Sequence, residues 1–267
     1  MPSATITAPN TPSAECNSLS KRTGKQLLLC AQELKKLYGG RAVVDGVSMN
    51  VADGEIVGLL GPNGAGKTTT FYMIAGLVPP NAGIVSFRGK NITTLPMHKR
   101  ARIGMGYLPQ EESIFRKLSV QDNLIAVLET RKDLNKKQRK EKAEQLMERF
   151  RITKLRDSIA LTLSGGEKRR LTIARCLCSS PKLLMLDEPF AGVDPKAVEA
   201  IHTIVRELRD KDGLSILITD HHVRETLKIV DHAYVMDDGK AIIEGSADQI
   251  ANDPLARKHY LGDDFSL

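Results

Sequence analysis

The sequence predicts an α/β fold with a mixed-sheet core, an antiparallel β subdomain in front of it and a helical subdomain inserted within it. Three observations carry that expectation. A short apolar run, Glu55-Ile56-Val57-Gly58-Leu59-Leu60, leads into Gly61-Pro62-Asn63-Gly64-Ala65-Gly66-Lys67-Thr68-Thr69, which fits G-x-x-x-x-G-K-S/T, the phosphate-binding loop. Further on, Leu183-Leu184-Met185-Leu186 and Ser215-Ile216-Leu217-Ile218-Thr219 are continuous apolar runs, as parallel strands buried on both faces should be. Between those runs Val198, Ile201, Val205 and Leu208 recur at helical spacing, giving the strand–helix–strand order of a parallel sheet covered by helices.

Taken in order, residues 1–25 are rich in Ser, Thr, Pro and Asn and are expected to form a disordered extension. From residue 26 the runs Leu27-Leu28-Leu29, Val43-Val44 and Val47-Ser48-Met49-Asn50-Val51 alternate with turn signals at Gly39-Gly40, Asp45-Gly46 and Asp53-Gly54, the pattern of an antiparallel β layer. After the glycine loop, Phe71, Tyr72, Ile74, Ala75 and Leu77 form a helical face that Pro79-Pro80 stops. Ile84-Val85-Ser86-Phe87 and Gly106-Tyr107-Leu108 read as further strands, the second running into Pro109-Gln110. The pattern turns helical over about 111–161, where Leu124, Val127 and Leu128 mark one helix and Leu146, Met147 and Phe150 a second. Ala233-Tyr234-Val235-Met236 and Ala241-Ile242-Ile243, joined through Asp238-Gly239, suggest a closing hairpin. One nucleotide-binding domain over 26–247 followed by a C-terminal extension over 248–267 is the expected organisation.

Composition narrows the function classes. The 267 residues carry 39 Lys and Arg against 32 Asp and Glu, a net charge of +7 that suits an anionic ligand, a membrane surface or nucleic acid. With no Trp and 4% aromatics there is little to stack bases on, so nucleic acid is not the expected partner. The densest basic run, from Arg131 to Lys142, is interleaved with acids and reads as a solvated helix face. No apolar window of 18 residues occurs, so no spanning helix is expected.

The chemistry follows from the loop and what accompanies it. Glycines let consecutive N–H groups turn in around a polyphosphate, and the following helix presents its positive end. Lys67 should reach the β- and γ-phosphates of a nucleoside triphosphate, and the Thr68 hydroxyl should ligate Mg²⁺. Asp187 and Glu188 end a buried strand, at the edge where open α/β sheets hold ligands. Asp187 is the expected Mg²⁺ holder, and Glu188, pointing elsewhere, can polarise a water for attack on the γ-phosphate.

Leu163-Ser164-Gly165-Gly166-Glu167 satisfies the S-x-x-E pattern of a helix capping box, which has no need of two glycines. The same five residues resemble the signature of the ATP-binding-cassette (ABC) family of P-loop NTPases, and the resemblance covers nearly the whole chain from Gln26. It implies ATP and Mg²⁺ as ligands and a fold of the cassette type. It also implies that Tyr38 lies against the adenine, that Gln110 touches Mg²⁺ and the attacking water, that His221 contacts the γ-phosphate, and that Asp194 belongs to the loop crossing to a second subunit. Ser164, Gly165, Gly166 and Glu167 would meet the ATP held by another copy of the chain, so a homodimer is implied in the ATP-bound state. Because Ser164 can cap its own helix, its backbone is expected to make most of that contact.

Within the family the chain is similar to the ATPase subunits of lipopolysaccharide export in Gram-negative bacteria. Gln110-Glu111-Glu112-Ser113-Ile114-Phe115-Arg116-Lys117-Leu118-Ser119-Val120, Thr219-Asp220-His221-His222-Val223-Arg224-Glu225-Thr226 and the ending Tyr260-Leu261-Gly262-Asp263-Asp264-Phe265-Ser266-Leu267 carry that likeness. Two departures are the long N-terminal stretch and His222, where Asn is expected. The resemblance implies a subunit peripheral on the cytoplasmic face of the inner membrane, docked to two membrane subunits through a groove near Phe71, Tyr72, Ile114, Phe115 and Arg116. Rival readings are a branched-chain amino-acid importer ATPase and a soluble cassette protein acting on nucleic acid or ribosomes. The former should lack the Tyr-Leu-Gly-Asp-Asp-Phe ending; the latter carries two cassettes or a long coiled coil, and neither is visible.

Overall fold

Alternating apolar residues pair Leu27–Tyr38 (β1) with Arg41–Ala52 (β2) in antiparallel register, Leu29 opposite Val51 and Ala31 opposite Met49. Ile56–Leu60 (β3) follows, with every residue buried. Ala82–Phe87 (β4) then adds to the free edge of β1, and Lys90–Asn91 (β5) to β4. This computed structural model describes residues 24–111 and 113–262. Most of the expected N-terminal extension, Glu112 and the last five residues of the C-terminal stretch lie outside the described residues.

The second sheet holds β3 at its centre. Its strand order is β10-β9-β3-β8-β7-β6, from Met105–Leu108 (β6), Leu183–Asp187 (β7), Ser215–Thr219 (β8), His232–Asp237 (β9) and Lys240–Gly245 (β10). All neighbours run parallel except the β9–β10 hairpin. In the register, Leu59 and Asp187 both lie opposite Thr219, and Leu108 lies opposite Leu186. The carboxyl ends of β3, β6, β7 and β8 therefore share one edge, from which the glycine loop, Gln110, Glu188 and His221 all emerge.

Strand alternation splits the core into two layers. Val57, Leu59, Leu183, Met185 and Leu217 face the β1–β2 layer and the helix Lys67–Ala75 (α1). Ile56, Leu60, Leu184, Leu186, Ile216 and Ile218 face the opposite side. Against them, directly or through one another, pack the helices that come after Met97–Arg102 (α2): Val120–Leu128 (α3), Lys136–Arg149 (α4), Gly165–Leu177 (α5), Pro195–Asp212 (α6) and Val223–Leu227 (α7). At about 1.5–3 kcal/mol per buried large apolar side chain, these two layers hold the strand edge rigid.

Local chemistry sets the helix ends. Gly66 precedes α1 at φ 92°, and a Cβ there would sit 2.5 Å from Val43 O; one at Gly61 would overlap Met236 O. Both positions require glycine because the loop is folded tightly onto its neighbours. At its other end α1 is capped by a buried arginine. Arg100 of α2 donates to Met73 O (2.9 Å) and Ile74 O (2.5 Å), and also to Leu95 O and Thr93 O. These bonds satisfy carbonyls that a helix terminus otherwise leaves unpaired. Burial pulls the guanidinium down to about 10, so it stays charged at neutral pH. Asn123 of α3 does similar work for the segment after Gln110: its amide accepts from Phe115 N (2.8 Å) and donates to Phe115 O, Leu118 O and Ser119 O.

Candidate functional site

Lys67, the first residue of α1, is buried and turns back into the loop. Its ammonium donates to Gly61 O (2.7 Å) and Pro62 O (2.8 Å). Burial lowers its pKa, while the carboxylates of Glu188 and Asp220 pull it back up. Thr68 is exposed on the next position and Thr69 is half-buried, so the Thr68 hydroxyl is open to solvent at the strand edge.

Asp187 closes β7 and is buried. Tyr107, on the neighbouring β6, donates its hydroxyl to Asp187 Oδ2 at 3.1 Å, and Tyr72 of α1 joins the same network. Burial raises the Asp187 carboxyl, and the two tyrosine hydrogen bonds partly restore its charged form. A buried acid whose charge is costly here and an exposed threonine hydroxyl that follows the glycine loop offer the oxygen chemistry that Mg²⁺ takes.

Glu188 adopts a positive φ of 44°, anchored by its N–H to Thr219 O at 2.7 Å. That turn sends its carboxylate away from Asp187 and toward two partners. Gln110 Nε2 donates to Glu188 Oε2 at 3.0 Å, and His221 Nδ1 lies 3.2 Å from the same oxygen. Gln110, Glu188 and His221, separated widely in sequence, thus form one cluster. Asp220 underpins it: fully buried, its Oδ2 accepts Phe190 N (2.9 Å), while Oδ1 accepts the His222 N–H and meets His222 Nδ1, each at 2.8 Å.

The signature residues lie in a separate place. A cleft of about 550 Å³ is lined by Gln110, Ser164, Gly165, Gly166 and Asp194, with Arg169 beside them and no described residue of the glycine loop. The capping box is formed: Ser164 Oγ donates to Glu167 Oε2 at 2.7 Å and accepts from Glu167 N. The bond from Ser164 Oγ and a second from the Ser164 N–H (2.8 Å) hold the Glu167 carboxyl below its ordinary value, and the first occupies the Ser164 hydroxyl locally. Asp194 accepts from Ala197 N (3.1 Å) at the start of α6. Tyr38, at the end of β1, is exposed, with the Lys36 ammonium 5.3 Å from its ring centre.

The expected docking groove is corrected at three of its five residues. Phe71 is fully buried against Tyr107, ring centres 6.1 Å apart, and Tyr72 is half-buried with its hydroxyl in the Asp187 network. Both belong to the core and the site because α1 is covered by the sheet on one side and the β layer on another. Ile114 is buried as well, whereas Phe115 is 46% exposed and Arg116 is exposed. The Arg175 guanidinium lies 4.4 Å over the Phe115 ring, and Arg175 also donates to Ser113 O. Exposed Leu118, Ile159 and Leu161 extend the strip, tied to it by Leu161 N donating to Arg116 O and Ala160 N to Leu118 O.

Tyr107 and Asp220 were not among the expected site residues. The signal for Asp220 was available: a carboxylate directly after a buried strand, beside a histidine, repeats the logic of Asp187. Tyr107 carried no such signal, since an aromatic in a strand reads as core.

Residues 44–191 match the model of the ABC transporter family. The lipopolysaccharide export system ATP-binding protein LptB of Escherichia coli (strain K12) is 56% identical over 239 residues, 90% of this chain and 99% of that protein. LptB of Haemophilus influenzae is 54% identical over 240 residues, with the same coverage of both chains. Among solved structures, the ADP conformation of MJ1267, an ATP-binding cassette of an ABC transporter, superposes with a TM-score of 0.80 at 29% identity, covering 90% of this chain and all of that one.

Proposed function

The chain belongs to the ABC transporter family as an ATP-hydrolysing subunit, and from that premise we propose that it powers lipopolysaccharide export from the inner membrane. The observation that carries this reading is identity to LptB sustained over nearly its full length, rather than over the nucleotide-binding motifs alone. ATP is gripped by the amides of the glycine loop and by Lys67, with the adenine against Tyr38. Thr68, Asp187 and Gln110 would hold Mg²⁺, which would supply positive charge to the phosphate oxygens. Glu188, held by Gln110 and His221 on one oxygen, accepts the proton of the attacking water, and His221 steadies the γ-phosphate.

The signature cleft contains no described glycine-loop residue, which supports a cage completed by a second copy of the chain. In that dimer Gly165 and Gly166 offer backbone N–H groups across the interface, Ser164 and Glu167 hold the helix start in shape, and Asp194 sits at the crossing loop. Among the described residues no helix is long and apolar enough to cross a membrane. The proposed location is the cytoplasmic face of the inner membrane, where two membrane subunits dock on the strip of Phe115, Arg116, Leu118 and Leu161. Purifying the chain from detergent-solubilised membranes of its own source tests the reading. Membrane subunits that extract lipopolysaccharide in an ATP-dependent vesicle assay are expected; recovery of an amino-acid permease instead would overturn it.

A further inference from the structure

Asp220 is followed by two histidines whose rings lie 4.0 Å apart at 41° to one another. Both present Nδ1 to the same carboxylate oxygen, His222 at 2.8 Å and His221 at 3.7 Å from Asp220 Oδ1. His221 Nδ1 is in turn 3.2 Å from Glu188 Oε2. A tetrahedral ion with bonds of about 2.0–2.2 Å needs ligand atoms roughly 3.3–3.6 Å apart. Asp220, His221 and His222 offer ligand atoms that all lie within 4.8 Å of one another, so these three can close on an ion with small side-chain movements. Glu188 Oε2 adjoins the set through His221 and reaches the ion as its fourth ligand by swinging inward.

We propose that Asp220, His221 and His222, together with Glu188, form an inhibitory site for a divalent transition-metal ion of the zinc class. Three properties favour such an ion. Imidazole nitrogen with carboxylate oxygen suits zinc, whereas Mg²⁺ takes oxygen ligands in octahedral geometry. Asp220 is fully buried and its second oxygen is fixed by the Phe190 N–H, so the central ligand is held in place in advance. The histidines are 42% and 41% exposed, which gives the ion a route in from solvent. On binding, each ring takes the neutral tautomer with its proton on Nε2, which frees the Nδ1 lone pair for the ion, and the ion takes Glu188 Oε2 from the Gln110 amide. Lys67 directs positive charge toward Glu188 and Asp220, and Arg169 toward Asp220, so the ion competes with two cations and binds reversibly.

The inhibitory consequence rests on the reading of Glu188 as the proton acceptor: a carboxylate that gives an oxygen to a metal ion is a much weaker base toward water. The binding itself does not depend on that reading.

The test uses untagged, nucleotide-free protein titrated with Co²⁺ as a spectroscopic probe and Zn²⁺ as competitor, alongside ATP turnover in excess Mg²⁺. One Co²⁺ per chain with the intense visible absorption of a tetrahedral site, displaced by Zn²⁺, is expected, and Zn²⁺ should suppress turnover over the same concentration range. His222→Asn should keep basal turnover and thermal stability close to the parent while losing about tenfold or more in Zn²⁺ affinity and in sensitivity to inhibition. Absence of the tetrahedral signal, or His222→Asn binding and responding to Zn²⁺ like the parent, overturns the proposal. Binding that leaves turnover untouched overturns its inhibitory half. A Glu188→Gln chain that hydrolyses ATP normally removes the mechanism of inhibition, while the Co²⁺ signal still reports on the site.

Discussion

Glu188 holds a backbone conformation that costs a non-glycine residue about 1–3 kcal/mol and survives only where its surroundings impose it. Here the Thr219 carbonyl and the Gln110 amide impose it, aiming the carboxylate along the strand edge instead of into the Asp187 network. Glu188→Gln keeps the shape and loses the basicity. It is expected to bind ATP normally, accumulate as a closed dimer and lose about 10²–10⁴ in turnover, read by phosphate release and size-exclusion chromatography. A second residue-scale prediction concerns His202, buried in α6 with its ring edge-on to Phe190 at 5.1 Å and Glu199 and Glu225 on either side. Burial lowers its pKa from 6.5, with the two glutamates opposing the shift and Arg206 and Lys228 adding to it. The unfolded chain therefore binds this proton more readily than the folded one below about pH 6.5, and stability falls as pH drops through that range. The slope from this one group is at most about 1.4 kcal/mol per pH unit. In chemical denaturation at pH 5–7, His202→Leu should flatten the acid side of the profile relative to the parent, whatever its absolute stability.

At the scale of elements, α1 joins the nucleotide loop to the core through a single charged side chain. Replacing Arg100 by Leu would remove a donor from four carbonyls, Thr93 O, Leu95 O, Met73 O and Ile74 O, of which Met73 O would keep the Gly76 N–H. Unpaired buried acceptors cost about 1–3 kcal/mol each, although water would recover part of that loss. A drop of about 3 kcal/mol in unfolding free energy is expected by denaturant titration, with weakened ATP binding because α1 carries Lys67 and Thr68. Nothing in the sequence marked Arg100 for this role, since it is one of three basic residues in a six-residue helix, with Lys99 and Arg102, and no periodicity singles it out as the buried one. The strands were legible for the opposite reason: β3, β7 and β8 are short apolar runs followed directly by polar chemistry, so fold and strand edge could be read together. Phe71 and Tyr72 were misread because a helix apolar on more than one face looks like an exposed docking surface until both layers covering it are known. The capping box at Ser164 was legible in full because it depends on residues three apart, whereas the Tyr107–Asp187 bond joins β6 to β7, 80 positions apart.

For the molecule as a whole, the strand edge and the exposed strip are linked through one short segment. Gln110 holds Glu188 at one end of it, and the segment from Phe115 to Ser119 is pinned at the other by the buried Asn123 amide. Arg175 of α5, the helix whose start carries the signature glycines, reaches the same segment by donating to Ser113 O and stacking on Phe115. A load applied at Phe115 or Arg116 is thus connected both to the carboxylate that activates water and to the helix proposed to meet the partner's ATP. Phe115 and Arg116 do not themselves touch the carboxylate cluster. Phe115→Ala and Arg116→Ala should therefore leave ATP hydrolysis by the isolated subunit within about threefold of the parent, a change of less than 1 kcal/mol in barrier. Co-purification with membrane subunits should fall sharply in both, because truncation removes an exposed anchor of the kind that dominates binding energy at interfaces. If both variants retain their membrane partners in detergent extracts, docking lies elsewhere on the surface. The link from Gln110 to the strip would then serve the stability of the segment alone.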